Sequence, residues 1–382
     1  MSYSKLTAGL VFAAGVSLAL SGCTPAVSSA GADAGTTSTA DLTDAQAACV
    51  DAVSADVEAA SAETDLVVPT APLDLAALEG KSVWYITVSM NQFSSDMASG
   101  IQAAGEAAGV DVTLYDGQGL TNRFNEGIQQ AVAQGADGII LLGIDPAVVS
   151  ASLADAAAAG IAVQNAMNSD PDDAVPDGMY GNFTADFTGD GERAAKWALV
   201  DSGCSADMVS IYSSSVGVWQ KQADGAQAVF DEYCPDDCTL TGLNVDLANL
   251  STDVGSQLGT AIQRDADVNY VFAAWDSAVP YISPVLATAN SEAKVLSRDG
   301  LQVNLDAIVA GDQTMTIAMP PTPWIGWASF DDIARAMTGA ESEGYVIPSR
   351  IVDTANVEDG TAGALFPNYD GYEEAFTSAW SE

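Results

Sequence analysis

The chain has 382 residues, 48% of them hydrophobic, and its 11 Lys and Arg stand against 52 Asp and Glu, which gives a formal net charge of −41. This length exceeds that of one ordinary hydrophobic core and predicts two lobes, while the scarcity of basic side chains argues against nucleic acid as a partner, because binding phosphates requires such side chains in clusters. Histidine is absent, which excludes nucleophile arrangements that depend on a His base and zinc sites built from His, and we expect neither a metal nor a cofactor.

The first residues have the features of an export signal. After Lys5, the apolar stretch Leu6–Leu20 is too short to remain comfortably as a membrane-spanning helix. It runs into Leu20–Cys23, an order that resembles a bacterial lipobox, in which cleavage before the Cys exposes that residue for acylation. We therefore predict a lipoprotein signal peptide over residues 1–22 and a protein anchored to the cell membrane, on its outer side, by a lipidated Cys23.

The next segment leads from this anchor to the main domain. Residues 23–40 are rich in Ala, Ser, Thr and Gly, which predicts a flexible tether. Asp41–Ala62 is Ala-rich and has few helix breakers, which predicts an N-terminal helix. Two prolines in Val67–Pro72 disfavour a helix there. Residues 41–80 are therefore interpreted as an N-terminal helix and linker.

Four cysteines follow Cys23, at positions 49, 204, 234 and 238. In an oxidising exterior an even number of cysteines predicts disulfides, and four cysteines allow three complete pairings. We expect at least one disulfide among Cys49, Cys204, Cys234 and Cys238. The favoured links are Cys234 to Cys238, or Cys204 to one of these two.

From Lys81 onward the pattern alternates between strands and helices. Apolar and β-branched runs predict parallel strands whose two faces are covered by helices. In the first half the predicted strands are Ser82–Val88, Asp111–Tyr115, Gly138–Leu142 and a strand beginning at Ile161. In the second half they are Met208–Tyr212, Leu240–Val245, Tyr270–Ala274 and Lys294–Ser297. The helices predicted in the second half are Gly191–Val200, Asp224–Tyr233, Val254–Arg264 and Ala278–Ala289. Ligands of such sheets bind beyond the carboxyl ends of the strands.

Several strand ends carry short signatures in a fixed order. They are Met90–Phe93, Tyr115–Gln118, Gly143–Pro146, Val271–Asp276, Arg298–Gly300 and Thr316–Pro320. Over roughly residues 81–356 this order resembles the type I periplasmic solute-binding proteins, in the ribose- and galactose-binding branch. The resemblance implies two Rossmann-like parallel-sheet lobes joined by a three-crossing hinge, here with an added N-terminal helix.

The resemblance also implies how the chain is divided. The three crossings are expected near Gly181, at Met319 to Pro320, and at Pro348 to Val352. The N-terminal lobe would then comprise residues 81–180 and 320–347, and the C-terminal lobe residues 181–319 and 348–382.

The same resemblance carries over a set of candidate ligand-binding residues. They are Asn91, Phe93, Asp116, Asp145, Met167, Asn168, Trp219, Gln220, Gln222, Trp275, Asp299 and Met319. At several of these positions the sugar binders have charged Asp and Arg, whereas this chain has neutral or apolar side chains. We therefore expect a small neutral ligand, held by a few hydrogen bonds and by stacking on Trp219, Trp275 or Phe93.

Taken together, these features predict an extracytoplasmic, monomeric substrate-binding protein that is not an enzyme and that delivers a sugar, polyol or similar solute to an ABC transporter permease. A binding protein that serves a chemoreceptor or a sensor kinase would have the same sequence features. An extracellular glycosidase would need a pair of carboxylates at a fixed separation, and no such pair is recognisable. A lactose-repressor-type regulator would need a helix-turn-helix headpiece where this chain has a lipobox and a tether.

Overall fold

A computed structural model describes residues 42–357 and 360–381. The predicted signal peptide, the lipidation site Cys23 and the tether over residues 23–40 lie outside the described residues. Within the described ranges, none of the helices is both long enough and apolar enough to cross a bilayer. The same ranges contain no group of three or more Cys, Asp or Glu side chains placed to hold a metal ion.

Twelve strands are present in the described part of the chain, and they form two six-stranded sheets. The strands are β1 Ser82–Thr87, β2 Asp111–Asp116, β3 Gly138–Leu142, β4 Ala162–Ala166, β5 Gly181–Ala185, β6 Asp207–Tyr212, β7 Thr239–Asn244, β8 Tyr270–Ala273, β9 Lys294–Asp299, β10 Met315–Ala318, β11 Val346–Ile347 and β12 Arg350–Asp353. The first sheet has the order β11-β5-β4-β3-β1-β2, and the second has the order β12-β10-β9-β8-β6-β7. Neighbouring strands are parallel throughout, except that β12 runs antiparallel to β10. Each sheet with its helices is one lobe, named N-terminal and C-terminal here.

Helices cover these sheets, as the uninterrupted apolar strands predict. They are α1 Asp44–Ser61, α2 Leu75–Leu78, α3 Gln92–Ala108, α4 Thr121–Gln134, α5 Ser150–Ala158, α6 Phe187–Ser202, α7 Gly217–Tyr233, α8 Leu250–Arg264, α9 Val279–Ala289, α10 Gln302–Ala310, α11 Thr322–Thr338 and α12 Tyr372–Ser381. The predicted two-lobed α/β architecture and the N-terminal helix are confirmed. Helix α7 begins earlier than the predicted Asp224, and the sequence interpretation did not include β5, α10, α11 or α12.

The crossings between the lobes correct one predicted boundary. Strand β5 pairs with β4 in the first sheet, so Gly181 begins a strand of the N-terminal lobe and the first crossing follows Ala185. The other two crossings, at residues 319–321 and 348–349, connect β10 to α11 and β11 to β12. The prediction that residues 181–185 belong to the C-terminal lobe is therefore wrong, because these residues complete the hydrogen bonding of β4.

The N-terminal helix α1 belongs to the C-terminal lobe. A disulfide joins Cys49 to Cys204, and Val53 is fully buried in the same apolar cluster. The backbone carbonyl of Ser61 accepts a hydrogen bond of 2.8 Å from Arg350 on β12. The chain then passes to the N-terminal lobe, where the carbonyl of Ala71 accepts a hydrogen bond of 2.8 Å from Arg335 on α11. This segment between α1 and α2 is thus a further passage between the lobes.

The C-terminal helix corrects a second boundary. After β12 the chain returns to the N-terminal lobe, where α12 packs on α11. The indole of Trp380 stacks on that of Trp327, with ring centroids 5.5 Å apart, and the side chain of Phe376 is fully buried beside them. Assigning all of residues 348–382 to the C-terminal lobe is therefore wrong, because the buried side chains of α12 pack against α11 of the N-terminal lobe.

Two disulfides are present among the described residues. The favoured link between Cys234 and Cys238 is confirmed. Cys204 pairs with Cys49 and not with either of these two. The expectation of at least one disulfide is met, and the alternative partners proposed for Cys204 are wrong, because α1 packs on α6 and brings Cys49 to the end of that helix.

Candidate functional site

The carboxyl ends of strands from both sheets line a partly open cavity of about 50 Å³. A water molecule needs about 10–15 Å³ on this scale, so this space has room for a few waters. The lining residues are Thr87, Val88, Ser89, Asn91, Phe93, Ser94, Leu142, Gly143, Met167, Phe187, Val216, Trp219, Arg298 and Asp299. The site is therefore at the strand ends where ligands of parallel sheets bind, and its two walls belong to different lobes.

Five of the predicted ligand-binding residues line this cavity, and they come from four separate elements. Asn91 caps the N-terminus of α3, where its Oδ1 accepts a hydrogen bond of 3.0 Å from the Ser94 backbone, and Phe93 lies in the first turn of that helix. Met167 follows β4, Trp219 lies in the first turn of α7, and Asp299 ends β9. The structure thus brings together one amide, one carboxyl group, two aromatic rings and one thioether.

The two predicted tryptophans form a parallel stack. The ring centroids of Trp219 and Trp275 are 4.2 Å apart and their planes differ by 2°. Trp219 lines the cavity, whereas Trp275 is buried behind it in the core of the C-terminal lobe. Trp275 therefore supports the ring of Trp219 and does not itself line the cavity.

Three predicted polar residues belong to turns or to a second opening. The Oδ1 atom of Asp116 accepts hydrogen bonds from the backbone of Met90 and Gln118, at 3.0 and 2.9 Å, and so fixes the turn after β2. Asp145 and Asn168 line a separate, more open cavity at the rim of the cleft. In this arrangement, none of the three lines the first cavity.

The remaining predicted residues pack around the cavity from the C-terminal lobe. Gln220 donates a hydrogen bond of 2.9 Å to Asp224 one turn along α7. Gln222 is fully buried and donates to the carbonyl of Ala274, at 3.2 Å. Met319 is also buried, and its Sδ lies 2.9 Å from Nη2 of Arg298. Gln222 and Met319 therefore support the wall of the site from behind, whereas the contact of Gln220 lies along its own helix.

Arg298 is the charged residue of the site that the candidate list missed. Its side chain is 2% exposed and lies over the ring of Phe187, with the guanidinium carbon 4.2 Å from the ring centroid. Its Nε contacts Oδ2 of Asp190 at 2.8 Å, and its Nη1 contacts Oδ1 of Asp299 at 3.3 Å. No local pattern marks this role, because Arg298 lies between Ser297 and Asp299 in a mixed stretch of β9 and its partner Asp190 is 108 residues away.

Two buried carboxyl groups lie next to each other at the ends of β8 and β9. Burial raises the pKa of Asp276 to about 6, although its carboxylate accepts hydrogen bonds from Ser297, Leu301 and Thr316. Burial, reinforced by the charge of Asp276, raises the pKa of Asp299 well above its usual value, while Arg298 acts in the opposite direction. The neutral form of Asp299 is therefore favoured relative to an exposed Asp, and a neutral carboxyl group both donates and accepts a hydrogen bond.

Two of the five non-glycine residues with positive φ in the described part of the chain line the cavity. Met167 has φ 55° and Asp299 has φ 140°, and both are conformations that residues with a Cβ seldom adopt. Each residue directly follows or ends a strand, and each lines the cavity. Strain of this kind persists where the surrounding structure fixes a side chain in a functional position.

The chemistry of the lining is that of recognition. Amide, hydroxyl, guanidinium and carboxyl groups can exchange hydrogen bonds with a polyhydroxy ligand, and the face of Trp219 can stack on an apolar ring face. Asp276 has its carboxylate engaged by three donors and does not line the cavity. This geometry does not provide the two opposed, accessible carboxylates that glycoside hydrolysis requires.

Comparison with known proteins identifies the family of this chain and solved structures with a similar fold. Residues 83–341 match the family model described as "Periplasmic binding protein domain". Comparison with curated protein sequences gives no match.

Three solved structures illustrate the similarity in fold. A sugar ABC transporter protein from Yersinia enterocolitica is 17% identical, with a TM-score of 0.67, over 83% of this chain and 99% of that one. A carbohydrate transporter protein from Acidothermus cellulolyticus, in complex with myo-inositol, is 20% identical and has a TM-score of 0.63. The match covers 78% of this chain and 99% of that one. A solute-binding protein from Agrobacterium vitis, with bound allitol, is 20% identical and has a TM-score of 0.65. The match covers 74% of this chain and 98% of that one.

Proposed function

Because this chain belongs to the periplasmic binding protein family, we propose that it captures a small neutral sugar or polyol between its two lobes, outside the cytoplasm. The observation that carries this proposal is the cavity itself, to which both lobes contribute side chains. Solutes bound in the similar structures include myo-inositol and allitol, both uncharged polyols. A ligand of this class needs donors, acceptors and an aromatic face, and the lining supplies all three.

The size of the cavity bears on how the ligand enters. The lined space of about 50 Å³ is smaller than a hexose or a hexitol, so we propose that the two walls separate as the ligand enters. The walls belong to different lobes, and rotation about the crossings at residues 186, 319–321 and 348–349 would open the space between Phe93 on one side and Trp219 on the other.

A thermal-shift screen tests the ligand class. A ligand that binds only the folded state stabilises it by about 2.7 kcal/mol at a concentration one hundred times its Kd. We expect at least one neutral polyol or monosaccharide to raise the melting temperature in a concentration-dependent manner, with no comparable shift from phosphorylated sugars. A shift with sugar phosphates and none with neutral compounds would refute the proposal.

Trp219 is proposed as the stacking surface for the ligand. Replacing Trp219 with Ala is expected to weaken binding of the best neutral ligand by about tenfold to a hundredfold, because aromatic contacts of this type contribute roughly 1–3 kcal/mol. Isothermal titration measures the change, and Trp275→Phe is the control, since it keeps an aromatic ring behind Trp219. Equal affinity of the wild type and Trp219→Ala would assign Trp219 to packing between the lobes.

Delivery to an ABC transporter permease and attachment to the membrane complete the proposal. The family supports the transport role, and the order Leu20–Cys23 supports the anchor. Mass spectrometry of the protein from its native membrane fraction is expected to show an acylated Cys23 as the first residue. An unmodified Cys23 in a soluble mature protein would contradict the anchor and leave the ligand-binding role unaffected.

A further inference from the structure

Arg298 lines the cavity, and the charge of its guanidinium is already compensated within the protein. Asp190 on α6 is fully buried and contacts Nε of Arg298 at 2.8 Å. Asp190 does not line the cavity, so its effect on a ligand has to pass through Arg298. We infer that Asp190 is a positioning residue that sets the charge selectivity of the cleft: by neutralising Arg298, it makes the cavity favour uncharged polyhydroxy ligands over the corresponding carboxylates.

Asp190 is held as a carboxylate from two directions. Its Oδ2 faces Arg298, while its Oδ1 contacts Nη1 of Arg193 at 2.7 Å and accepts a hydrogen bond of 2.5 Å from Ser349. Arg193 is paired in turn with Asp186, at 2.9 Å. The positive charges of the two Arg guanidinium groups therefore compensate the negative charges of the carboxylates of Asp190 and Asp186 next to the cavity.

An anionic ligand would disturb this balance. A sugar carboxylate brought to Arg298 would share one guanidinium with Asp190 and, when it is ionised, Asp299, whose Oδ1 lies 3.3 Å from Nη1. In a buried site the repulsion between like charges is weakly screened, and an unpaired buried charge is strongly unfavourable. A hydroxyl group, in contrast, can accept from the guanidinium and adds no charge. Among the described residues, contacts with Asp190, Asp299 and Met319 engage three of the five N–H groups of Arg298, which leaves two for such contacts.

This inference rests on the proposed function and deepens it, since it names the residue that separates two classes of sugar-like ligand. The test compares matched pairs that differ in one carboxylate, D-galactose with D-galacturonate and D-glucitol with D-gluconate. For each protein, isothermal titration gives the ratio of the affinity for the neutral compound to that for its acid. A residue with a purely structural role would lower both affinities and leave this ratio unchanged.

We expect the wild type to prefer the neutral member of each pair, and Asp190→Asn to shift the ratio toward the acid by about tenfold or more, the size of effect that a newly available charge-assisted contact produces. Asp186→Asn is the matched control, because Asp186 pairs with Arg193 and has no contact with Arg298 among the ion pairs of the described residues. Its ratio should equal that of the wild type.

Arg298→Gln provides a second variant in case Asp190→Asn does not fold. This variant leaves Asp190 with Arg193 and Ser349 as partners. We expect its ratio of neutral to acid affinity to be higher than that of the wild type. A folded Asp190→Asn protein that binds the neutral probes with an unchanged ratio would overturn the inference alone. A wild type that binds the acids in preference, or that binds none of the neutral probes, would overturn the inference and the proposed ligand class together.

Discussion

Replacing both Cys49 and Cys204 with Ser is expected to lower the free energy of unfolding by on the order of 4–5 kcal/mol, measured by denaturant titration. The two cysteines are 155 residues apart, and a cross-link that closes so long a loop removes much of the conformational freedom of the unfolded chain. The loss should be accompanied by release of α1, because Cys49 and Val53 anchor this helix to the C-terminal lobe.

The second disulfide is the matched control for this prediction. Cys234 and Cys238 are 4 residues apart, and in the chain-entropy description so short a loop contributes only about 2 kcal/mol. The double replacement Cys234→Ser/Cys238→Ser should therefore have the smaller effect. Equal losses for the two pairs would show that the stabilisation does not follow the length of the closed loop.

Replacing Arg335 with Met should destabilise the protein by about 3–5 kcal/mol, the usual cost of leaving one member of a buried ion pair without its partner. Asp331 is fully buried, and its carboxylate contacts Arg335 at 2.8 and 3.1 Å. Tyr345 and Trp380 donate to the same carboxylate, at 2.8 and 2.7 Å. Without Arg335, these two neutral donors would have to stabilise the buried charge alone.

A double variant separates the loss of the charge pair from the loss of packing. Asp331→Asn/Arg335→Met removes both members of the buried Asp331–Arg335 pair, so it should be more stable than Arg335→Met alone, as measured by the same denaturant titration. If the double variant is less stable than the single one, the uncompensated charge of Asp331 is not the source of the loss.

The alternating architecture could be predicted because the strands are buried on both faces. All five residues of β3 are buried, and such a run is apolar along its whole length, so it is recognisable without reference to its neighbours. The helices between the strands end at recognisable signals, as α4 does at Gly135 in a left-handed conformation. These local features do not depend on tertiary contacts.

Elements whose polar residues are buried could not be predicted in this way. Helix α11 buries Asp331, Asp332 and Arg335, which interrupts the apolar periodicity that marks a helix. Strand β5 reads Gly-Asn-Phe-Thr-Ala, a short and partly polar run, and its place at the side of β4 depends on a pairing that a single sequence does not show. Both were therefore missed, and the predicted boundary at residue 181 was wrong in consequence.

The candidate site was predictable to the extent that it depends on strand ends. Asn91, Met167 and Asp299, which the family resemblance marked as candidates, follow or end strands and line the cavity, at the sheet edge where ligands of parallel sheets bind. Arg298 was missed because its pairing with Asp190 joins residues 108 positions apart. Cys49 and Cys204 were not paired in advance for the same reason, since only the packing of α1 on α6 brings them together.

The passage between α1 and α2 has a consequence for how the lobes can turn. The carbonyl of Ser61 is bound by Arg350, and both the backbone N–H and the carbonyl of Leu66 are bound by Asn368, at 2.7 and 3.0 Å. Farther along, the carbonyl of Ala71 is bound by Arg335 of the N-terminal lobe, so backbone torsions between residues 62 and 70 must absorb part of any rotation between the lobes. A proline there would stiffen this segment and a glycine would loosen it. Such substitutions would change the range of rotation between the two lobes without altering any residue that lines the ligand cavity.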